Sequence, residues 1–471
     1  MANEEEFDIV VIGGGPGGYA TALYAAAAGL SVAIVERDKV GGTCLHRGCI
    51  PAKEFLETAA VRRTIEGSKE FGIDVSGVVL DFARSQERKQ AVVDKLWTGL
   101  QGLLKGRKVT TFIGTGTLRE DRRVEVVDGP DAGKAITGRN VVLAAGSVPY
   151  GLPGFEIDGR WVMTSDEFLD LEKLPASVAV IGGGVVGCEF ASLLADLGSK
   201  VTILEALDAI LPGCDEDIVR LIVRSFKKRG IDIVTGAKVE SHTPAADGTV
   251  TTVKAGEQSF DVEAIVVSVG RRPRTEGLVA DGVGVQINER GFVVTDQYQR
   301  TGVDGVWAVG DIVAGTPQLA HVGFAEAIVA VKGMLGEPVV PVDNGKVPWA
   351  IYCHPEVAFC GMTEAQAKDA GIDVVTKKDP FGGNSRAQII GDTEGLVKIV
   401  AEKRPDGTAG RILGVHMCGP WVTEQLSGGY LAVNWEAFPD EVAQFIQPHP
   451  SLSETFGETM LALTGRGLHL G

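Results

Sequence analysis

"FDIVVIGGGPGGYATALYAAAAGLSVAIVE", residues 7–36, starts as an apolar strand, turns on glycines, runs through a helix of small residues and ends in a second strand at Glu36. The same order returns in "SVAVIGGGVVGCEFASLLADLGSKVTILE", residues 177–205, ending at Glu205. G-x-G-x-x-G is complete in both, as Gly13, Gly15 and Gly18 and as Gly182, Gly184 and Gly187. The acidic residue follows the first glycine by 23 positions each time.

Each glycine in such a unit has its own task. The first allows the tight turn, the second lets a pyrophosphate approach the backbone, and the third lets helix and strand pack closely. The helix N-terminus then faces the anion, and the acidic side chain accepts hydrogen bonds from ribose hydroxyls. A lone G-x-G-x-x-G is weak evidence. Here a strand precedes it, a helix follows it and the acid stands at the expected offset, twice over. The expected fold class is therefore α/β, with two Rossmann-like dinucleotide-binding domains.

Composition agrees with a large globular protein. The 471 residues are 44% hydrophobic and 23% charged, and 63 glycines suit many tight turns and close backbone approaches. A net charge of −17 without a lysine or arginine cluster argues against nucleic acid as a partner. The acidic start "MANEEEF" resembles neither a secretory signal nor a transit peptide, and no apolar run reaches the length of a membrane span. The expectation is a cytoplasmic protein. Seven scattered cysteines do not form a secreted disulfide framework.

Two of them, Cys44 and Cys49, lie in "GGTCLHRGCIPAK", residues 41–53. Pro51 suits a helix's first turn, so a helix is expected to begin around 49–51 and to place Cys49 near its N-terminus, where thiolate is favoured. Three readings of the pair compete: a zinc site with His46, buried structural thiols, and a redox dithiol. The spacing is not that of a usual zinc knuckle. Free cysteine often packs as a small hydrophobe. The redox reading is favoured because the pair directly follows a dinucleotide unit. Cys353 and Cys360, in an apolar β-like stretch around His354, are expected to be core, and Cys188 to be buried.

Along the chain, "NVVLAAGSVP" (140–149) and "DVEAIVVSVGRRP" (261–273) read as strands and turns that close the two nucleotide units. "GVWAVGDIVAGTPQLAH" (305–321) reads as a strand ending at Gly310 and Asp311 before a helix, and short β-rich stretches begin near Lys346. Together with "HPSLSE" at 449–454, these segments make the whole chain resemble the pyridine nucleotide-disulfide oxidoreductases, most closely the branch acting on dihydrolipoamide.

The resemblance implies an FAD domain at 1–150, an NAD domain at 151–270, a return to the FAD domain at 271–345, and a C-terminal α+β dimerisation domain at 346–471. It implies a homodimer in which Cys44 meets substrate and Cys49 lies against the flavin. Lys53 would sit beside the flavin, paired with Glu189. His449, oriented by Glu454, would serve as base at the disulfide of the other subunit. FAD contacts are expected from Gly13, Gly15, Gly18, Glu36, Gly42, Thr43, Lys53, Gly116, Ala145, Gly146, Ser147, Gly310, Asp311, Leu319, Ala320 and His321. NAD contacts are expected from Gly182, Gly184, Val185, Val186, Gly187, Glu189, Glu205 and Gly270.

The implied activity is oxidation of protein-bound dihydrolipoamide with reduction of NAD+. The lipoyl group would come from an acyltransferase of a 2-oxoacid dehydrogenase complex or from a glycine-cleavage carrier protein. Glu205 favours NAD over NADP because its charge would repel a 2′-phosphate. Relatives acting on glutathione typically carry tyrosine at the position of Val185, and mercuric reductases usually add a C-terminal cysteine pair, whereas this chain ends "LTGRGLHLG". A reductase of those types, or an idle flavoprotein scaffold, is the alternative. The scaffold ranks low because Cys44, Cys49, His449 and Glu454 are all present. No metal site is expected.

Overall fold

A computed structural model of the chain describes residues 5–470. β1 (Glu5–Ile12) and β2 (Val32–Glu36) run parallel, joined by helix α1 (Pro16–Ala27), with Ile9 opposite Val32 and Ile12 opposite Val35. Every residue of β2 is buried. A parallel strand covered on both faces requires such a continuous apolar run. The small residues of α1 let it lie close to the helix Ala320–Leu335, where the backbones of Gly17 and Gly323 meet.

Three sheets carry the architecture. The first has seven strands, in the order Thr110–Ile113, β2, β1, Ala135–Leu143, Arg123–Val126 and Gly116–Leu118, with Val306–Ala308 also paired to Ala135–Leu143. That last strand runs parallel to its neighbour, with Val306 opposite Val141 and Ala308 opposite Leu143. Chain from beyond residue 300 thus returns to the first sheet. The second sheet is wholly parallel: Asp232–Val234, Lys200–Leu204, Ser177–Ile181, Ala264–Val267 and Val162–Met163. The third is antiparallel, in the order Trp349–Ile351, Glu356–Gly361, Ala409–Gly419, Leu396–Lys403 and Val374–Pro380.

Local differences from the sequence reading have physical causes. The strand expected to reach Gly310 and Asp311 stops at Ala308, because Gly310 takes a left-handed φ of +78° and turns the chain. The segment 41–48 contains a short helix, α2 (Gly42–Arg47), so Cys44 is helical as well. Gly48 breaks the path at φ −142°, ψ −112°, and α3 (Cys49–Glu66) starts directly after it.

A buried ion cluster joins the second and third sheets' layers. Lys398, 2% exposed, reaches Asp215 at 2.9 Å, Asp217 at 2.8 Å and Glu364 at 2.9 Å. Asp215 caps the helix Glu216–Lys228, so the cluster ties that helix to the antiparallel sheet. No helix among the described residues is long and apolar enough to cross a membrane.

Candidate active site

Cys49 is the first residue of α3, where unpaired backbone N–H groups carry partial positive charge. Its thiol and that of Cys44 are hydrogen-bonded to one another, and both cysteines are free. The Cys49 thiol is lowered to about 7, first by the hydrogen bond from Cys44; burial opposes this, and the Lys53 ammonium reinforces it. Cys44 is pushed far above the ordinary thiol range by that same hydrogen bond, by burial and by the charge on Cys49. The surroundings thus treat the two sulfurs unequally, lowering Cys49 and raising Cys44.

Lys53 stands one turn along α3 from Cys49, and its Nζ donates to Glu189 Oε2 at 2.7 Å. Burial would depress this lysine, but the Glu189 carboxylate outweighs burial and holds it raised, hence charged. Glu189 lies on the helix Val185–Leu197 that the second glycine turn opens. Its Oε1 accepts the Tyr352 N–H at 2.9 Å, and the Tyr352 ring lies 5.0 Å from Lys53 Nζ. Three segments distant in sequence therefore fix one ammonium beside the dithiol. Tyr352 was not visible as a site residue in the sequence, because its role is a backbone donor and a ring face, neither of which leaves a motif.

His449 and Glu454 meet, as the resemblance implied. His449 Nδ1 lies 2.8 Å from Glu454 Oε1, while Glu454 Oε2 accepts the Ser451 N–H at 2.8 Å. The Glu454 carboxyl is lowered although burial opposes it, because Ser451 and His449 favour the anion. The His449 side chain is 71% exposed. Among the described residues, no hydrogen bond within the chain joins this pair to Cys44 or Cys49. The histidine is thus presented to solvent.

The two glycine turns can be tested for what they could hold. A Cβ on Gly13 would meet Ala144 O at 2.3 Å, and one on Gly18 would meet Gly13 O at 1.9 Å, whereas one on Gly15 would meet nothing within 4 Å. The second turn repeats this: Gly182 and Gly187 are closed by backbone at 2.6 and 1.9 Å, and Gly184 opens on free space. First and third glycines are thus required by the protein's own packing, while the middle one faces room for a ligand. Each middle glycine is the N-cap of its helix. Glu36 Oε2 accepts the Gly14 N–H at 2.6 Å and Glu205 Oε2 accepts the Gly183 N–H at 2.6 Å, leaving lone pairs on both carboxylates for hydroxyl donors. These features fit a dinucleotide at each turn.

Around the first turn, the backbone of Gly42 touches Gly15, and Thr43 follows it in α2. Ala145 and Gly146 form the turn before the strand Ser147–Pro149. Ser147 Oγ donates to Asp311 Oδ2 at 2.5 Å and accepts from Arg271 Nε at 2.7 Å, a partner the sequence reading did not include. Gly310 N–H donates to the buried Glu326 at 2.5 Å. Leu319 caps the helix Ala320–Leu335, and His321 in its first turn bonds to Pro348 O through Nε2 at 2.8 Å. Gly116 is buried against Ile12 and Val35 in the first sheet. Around the second turn, Val185 is half-buried and Val186 is 40% exposed at the helix start, and Gly270, with φ +117°, gives its carbonyl to Tyr150 N–H.

A cavity of about 500 Å³ extends from Gly184 and Val185 past Leu211 and Cys214 to Trp349 and Phe359 of the third sheet. Cys188, Cys353, Cys360 and Cys418 are buried, as core packing requires. Among the described residues, no group of histidine, cysteine, aspartate and glutamate could hold a metal ion.

Comparison with known proteins agrees with the geometry. The family described as pyridine nucleotide-disulphide oxidoreductase matches residues 7–327, and its dimerisation domain matches residues 347–460. A dihydrolipoyl dehydrogenase of Bacillus subtilis (strain 168) is 41% identical, covering 98% of this chain and 99% of that protein. One from Geobacillus stearothermophilus is 38% identical, covering 99% and 98%. Among solved structures, LpdA from Mycobacterium tuberculosis superposes with a TM-score of 0.90 at 26% identity, covering 98% of this chain and 99% of that one. The HOCl-induced flavoprotein disulfide reductase RclA from Escherichia coli, in its Cu(II) complex, gives 0.87 at 28% identity, covering 97% and 99%. The dithiol on a helix N-terminus, set beside two dinucleotide turns, and these matches over nearly the full chain show that it belongs to the pyridine nucleotide-disulphide oxidoreductase family.

Proposed function

We infer that this protein is an FAD-dependent dihydrolipoyl dehydrogenase, which oxidises dihydrolipoamide to lipoamide and reduces NAD+ to NADH with release of a proton. The observation that carries the reading is the inequality of Cys44 and Cys49. A thiol lowered to about 7 at a helix N-terminus is a leaving group and electron donor, and its raised partner is the sulfur left for exchange with substrate.

In the oxidised enzyme Cys44 and Cys49 share a disulfide. His449 of the partner subunit takes a proton from one thiol of dihydrolipoamide, and the resulting thiolate attacks Cys44 Sγ. The Cys44–Cys49 bond breaks, and Cys49 leaves as a thiolate stabilised by the α3 N-terminus and by Lys53. The imidazolium gives its proton to the enzyme's sulfur pair and then takes one from the second substrate thiol, whose thiolate attacks the substrate sulfur joined to Cys44; that bond breaks and Cys44 leaves, taking up the second proton. Lipoamide departs closed, and the enzyme keeps the dithiol that the structure shows. Glu454 holds the histidine by Nδ1, which leaves Nε2 to handle protons. Bound FAD supplies the two-electron relay from this dithiol to NAD+. Lys53 and Glu189 keep a fixed charge beside that relay, and Glu205 selects NAD by disfavouring a 2′-phosphate.

The working unit is a homodimer, since His449 is presented outward and the C-terminal segment belongs to the family's dimerisation domain. Its macromolecular substrate is a lipoyl-bearing acyltransferase or a glycine-cleavage carrier. A Cys44→Ser enzyme should bind FAD normally and fail to oxidise dihydrolipoamide. Retained turnover in that variant would remove the assignment.

A further inference from the structure

Where the strand Val306–Ala308 leaves the first sheet, it meets a buried acid that the disulfide cycle does not use. Val309 N–H still bonds to Leu143 O, but the next N–H, that of Gly310, goes to Glu326 Oε2 at 2.5 Å. Glu326 thus replaces the sheet as acceptor where the chain bends at Gly310. The residue is 0% exposed, and its other oxygen, Oε1, has no hydrogen-bond partner. A buried anion with an idle oxygen is costly, and a neutral acid in the same place costs less.

The bend that Glu326 holds packs on the first glycine turn. A Cβ on Gly17 in α1 would lie 3.0 Å from the Val309 side chain, 3.5 Å from Gly323 O and 3.7 Å from Gly310 N. Gly15, the open N-cap of α1, stands two residues before Gly17. Asp311 is fixed in turn by the Ser147 hydroxyl at 2.5 Å and by Gln318, whose Nε2 donates to Asp311 O at 3.2 Å. Glu326 and Ser147 therefore hold one dipeptide, Gly310–Asp311, from its backbone and from its side chain.

Burial pushes the Glu326 carboxyl up to about 7 against the pull of the Gly310 N–H and of Thr316, and Asp311 raises it further. The other titratable groups on the elements around it are Tyr19 and Tyr24 on α1 and, on its own helix, Lys332 and His321, the latter bonded to Pro348 O. The strand Val306–Ala308 carries none. A pyrophosphate at the N-terminus of α1 acts in the same direction as Asp311, because a second anion disfavours a charged carboxylate.

We propose that Glu326 is a positioning residue for FAD: as a neutral acid it anchors the Gly310–Asp311 bend against the first glycine turn, so that FAD and a proton bind together. FAD raises the affinity of this carboxyl for its proton, and by linkage the proton raises the affinity for FAD. FAD is therefore held more tightly below about pH 7 than above it. The proposal rests on reading the first glycine turn as the FAD site.

The test is release of FAD from diluted holoenzyme, read as free-flavin fluorescence over a series of pH values, for wild type, Glu326→Gln and Glu326→Ala. In wild type the dissociation constant should rise roughly 3- to 10-fold between about pH 6 and about pH 8. Glu326→Gln keeps an acceptor for the Gly310 N–H and carries no charge, so it should hold FAD as wild type does at the acid end and lose the rise. Glu326→Ala leaves that N–H without its acceptor and should release FAD roughly 10-fold more readily at every pH. A flat profile in wild type overturns the proposal, as does a rise that persists in Glu326→Gln, FAD lost from Glu326→Gln at the acid end, or wild-type retention in Glu326→Ala. Purified wild-type protein that carries no FAD overturns the reading of the first turn instead.

Discussion

Lys53 Nζ sits 2.7 Å from Glu189 Oε2, and this contact joins the helix that begins at Cys49 to the helix that opens the second dinucleotide turn. The pair couples the thiolate to the nucleotide layer through charge. Lys53 lowers the Cys49 thiol and Glu189 raises it, so the two settle the titration between them. Lys53→Met should move the Cys49 titration upward, seen as thiolate absorbance against pH, and leave less thiolate at neutral pH. An unmoved titration would show that the lysine serves structure alone.

The hydrogen bond from Cys44 is the largest cause of the low Cys49 value. Cys44→Ala should therefore raise the Cys49 titration from about 7, whereas Cys44→Ser, which still offers a donor, should raise it less. Alkylation of the reduced wild-type enzyme should accelerate as pH rises through that value, because the thiolate is the nucleophile.

His449 and Glu454 should separate into base and orienting group. His449→Gln should lower dihydrolipoamide turnover by roughly 10²- to 10⁴-fold, the usual contribution of a general base. Glu454→Gln keeps a hydrogen-bond acceptor at the same place and should cost less. FAD content and dimerisation should be unchanged in both, measured by absorbance and by sedimentation.

The glycine turns give a contrast between folding and binding. Gly15→Ala has room for its methyl, so the apoprotein should keep its thermal stability and lose FAD affinity. Gly18→Ala forces a Cβ to within 1.9 Å of Gly13 O and should destabilise the first domain whether or not FAD is present. Gly184→Ala should behave as Gly15→Ala does, but toward NADH, with FAD retained.

Lys398 carries the junction to the third sheet. Removing it by Lys398→Met leaves buried Asp215 without its cation and takes one of several from Asp217 and Glu364, and should cost about 3 kcal/mol in denaturant unfolding. Asp217 is held low by Lys378, Lys398 and Arg220 although burial opposes them, and Glu364 is held low by Lys368 and Lys398. Carboxyls lowered in the folded state bind fewer protons there than in the unfolded chain, so their stabilisation is present above the ordinary carboxylate range and is lost as pH falls. Acid unfolding should set in at a lower pH in wild type than in Lys398→Met.

Much of this protein is legible in its sequence. Gly13, Gly15 and Gly18 with Glu36, and their repeat at 182–205, declare two strand-turn-helix units because backbone packing admits only glycine at two of the three positions. Cys44 and Cys49 stood out as a close pair whose purpose spacing alone left open, and the family resemblance, carried also by the motif of His449 and Glu454, implied their redox role. Tyr352, Arg271 and Glu326 were not legible. Each acts across more than a hundred residues of sequence or through a backbone atom or ring face, and none carries a local pattern. Helix α2 was missed because "GTCLHR" is too short to show a periodicity.

The most direct test of the central claim is a steady-state assay of purified holoenzyme with dihydrolipoamide, glutathione and Hg(II), each paired with NAD(H) and with NADP(H), alongside Cys44→Ser. Rapid oxidation of dihydrolipoamide with NAD+, weak activity with the other pairs, and none in Cys44→Ser is the expected result. A preference for glutathione with NADPH, or full turnover without Cys44, would contradict it.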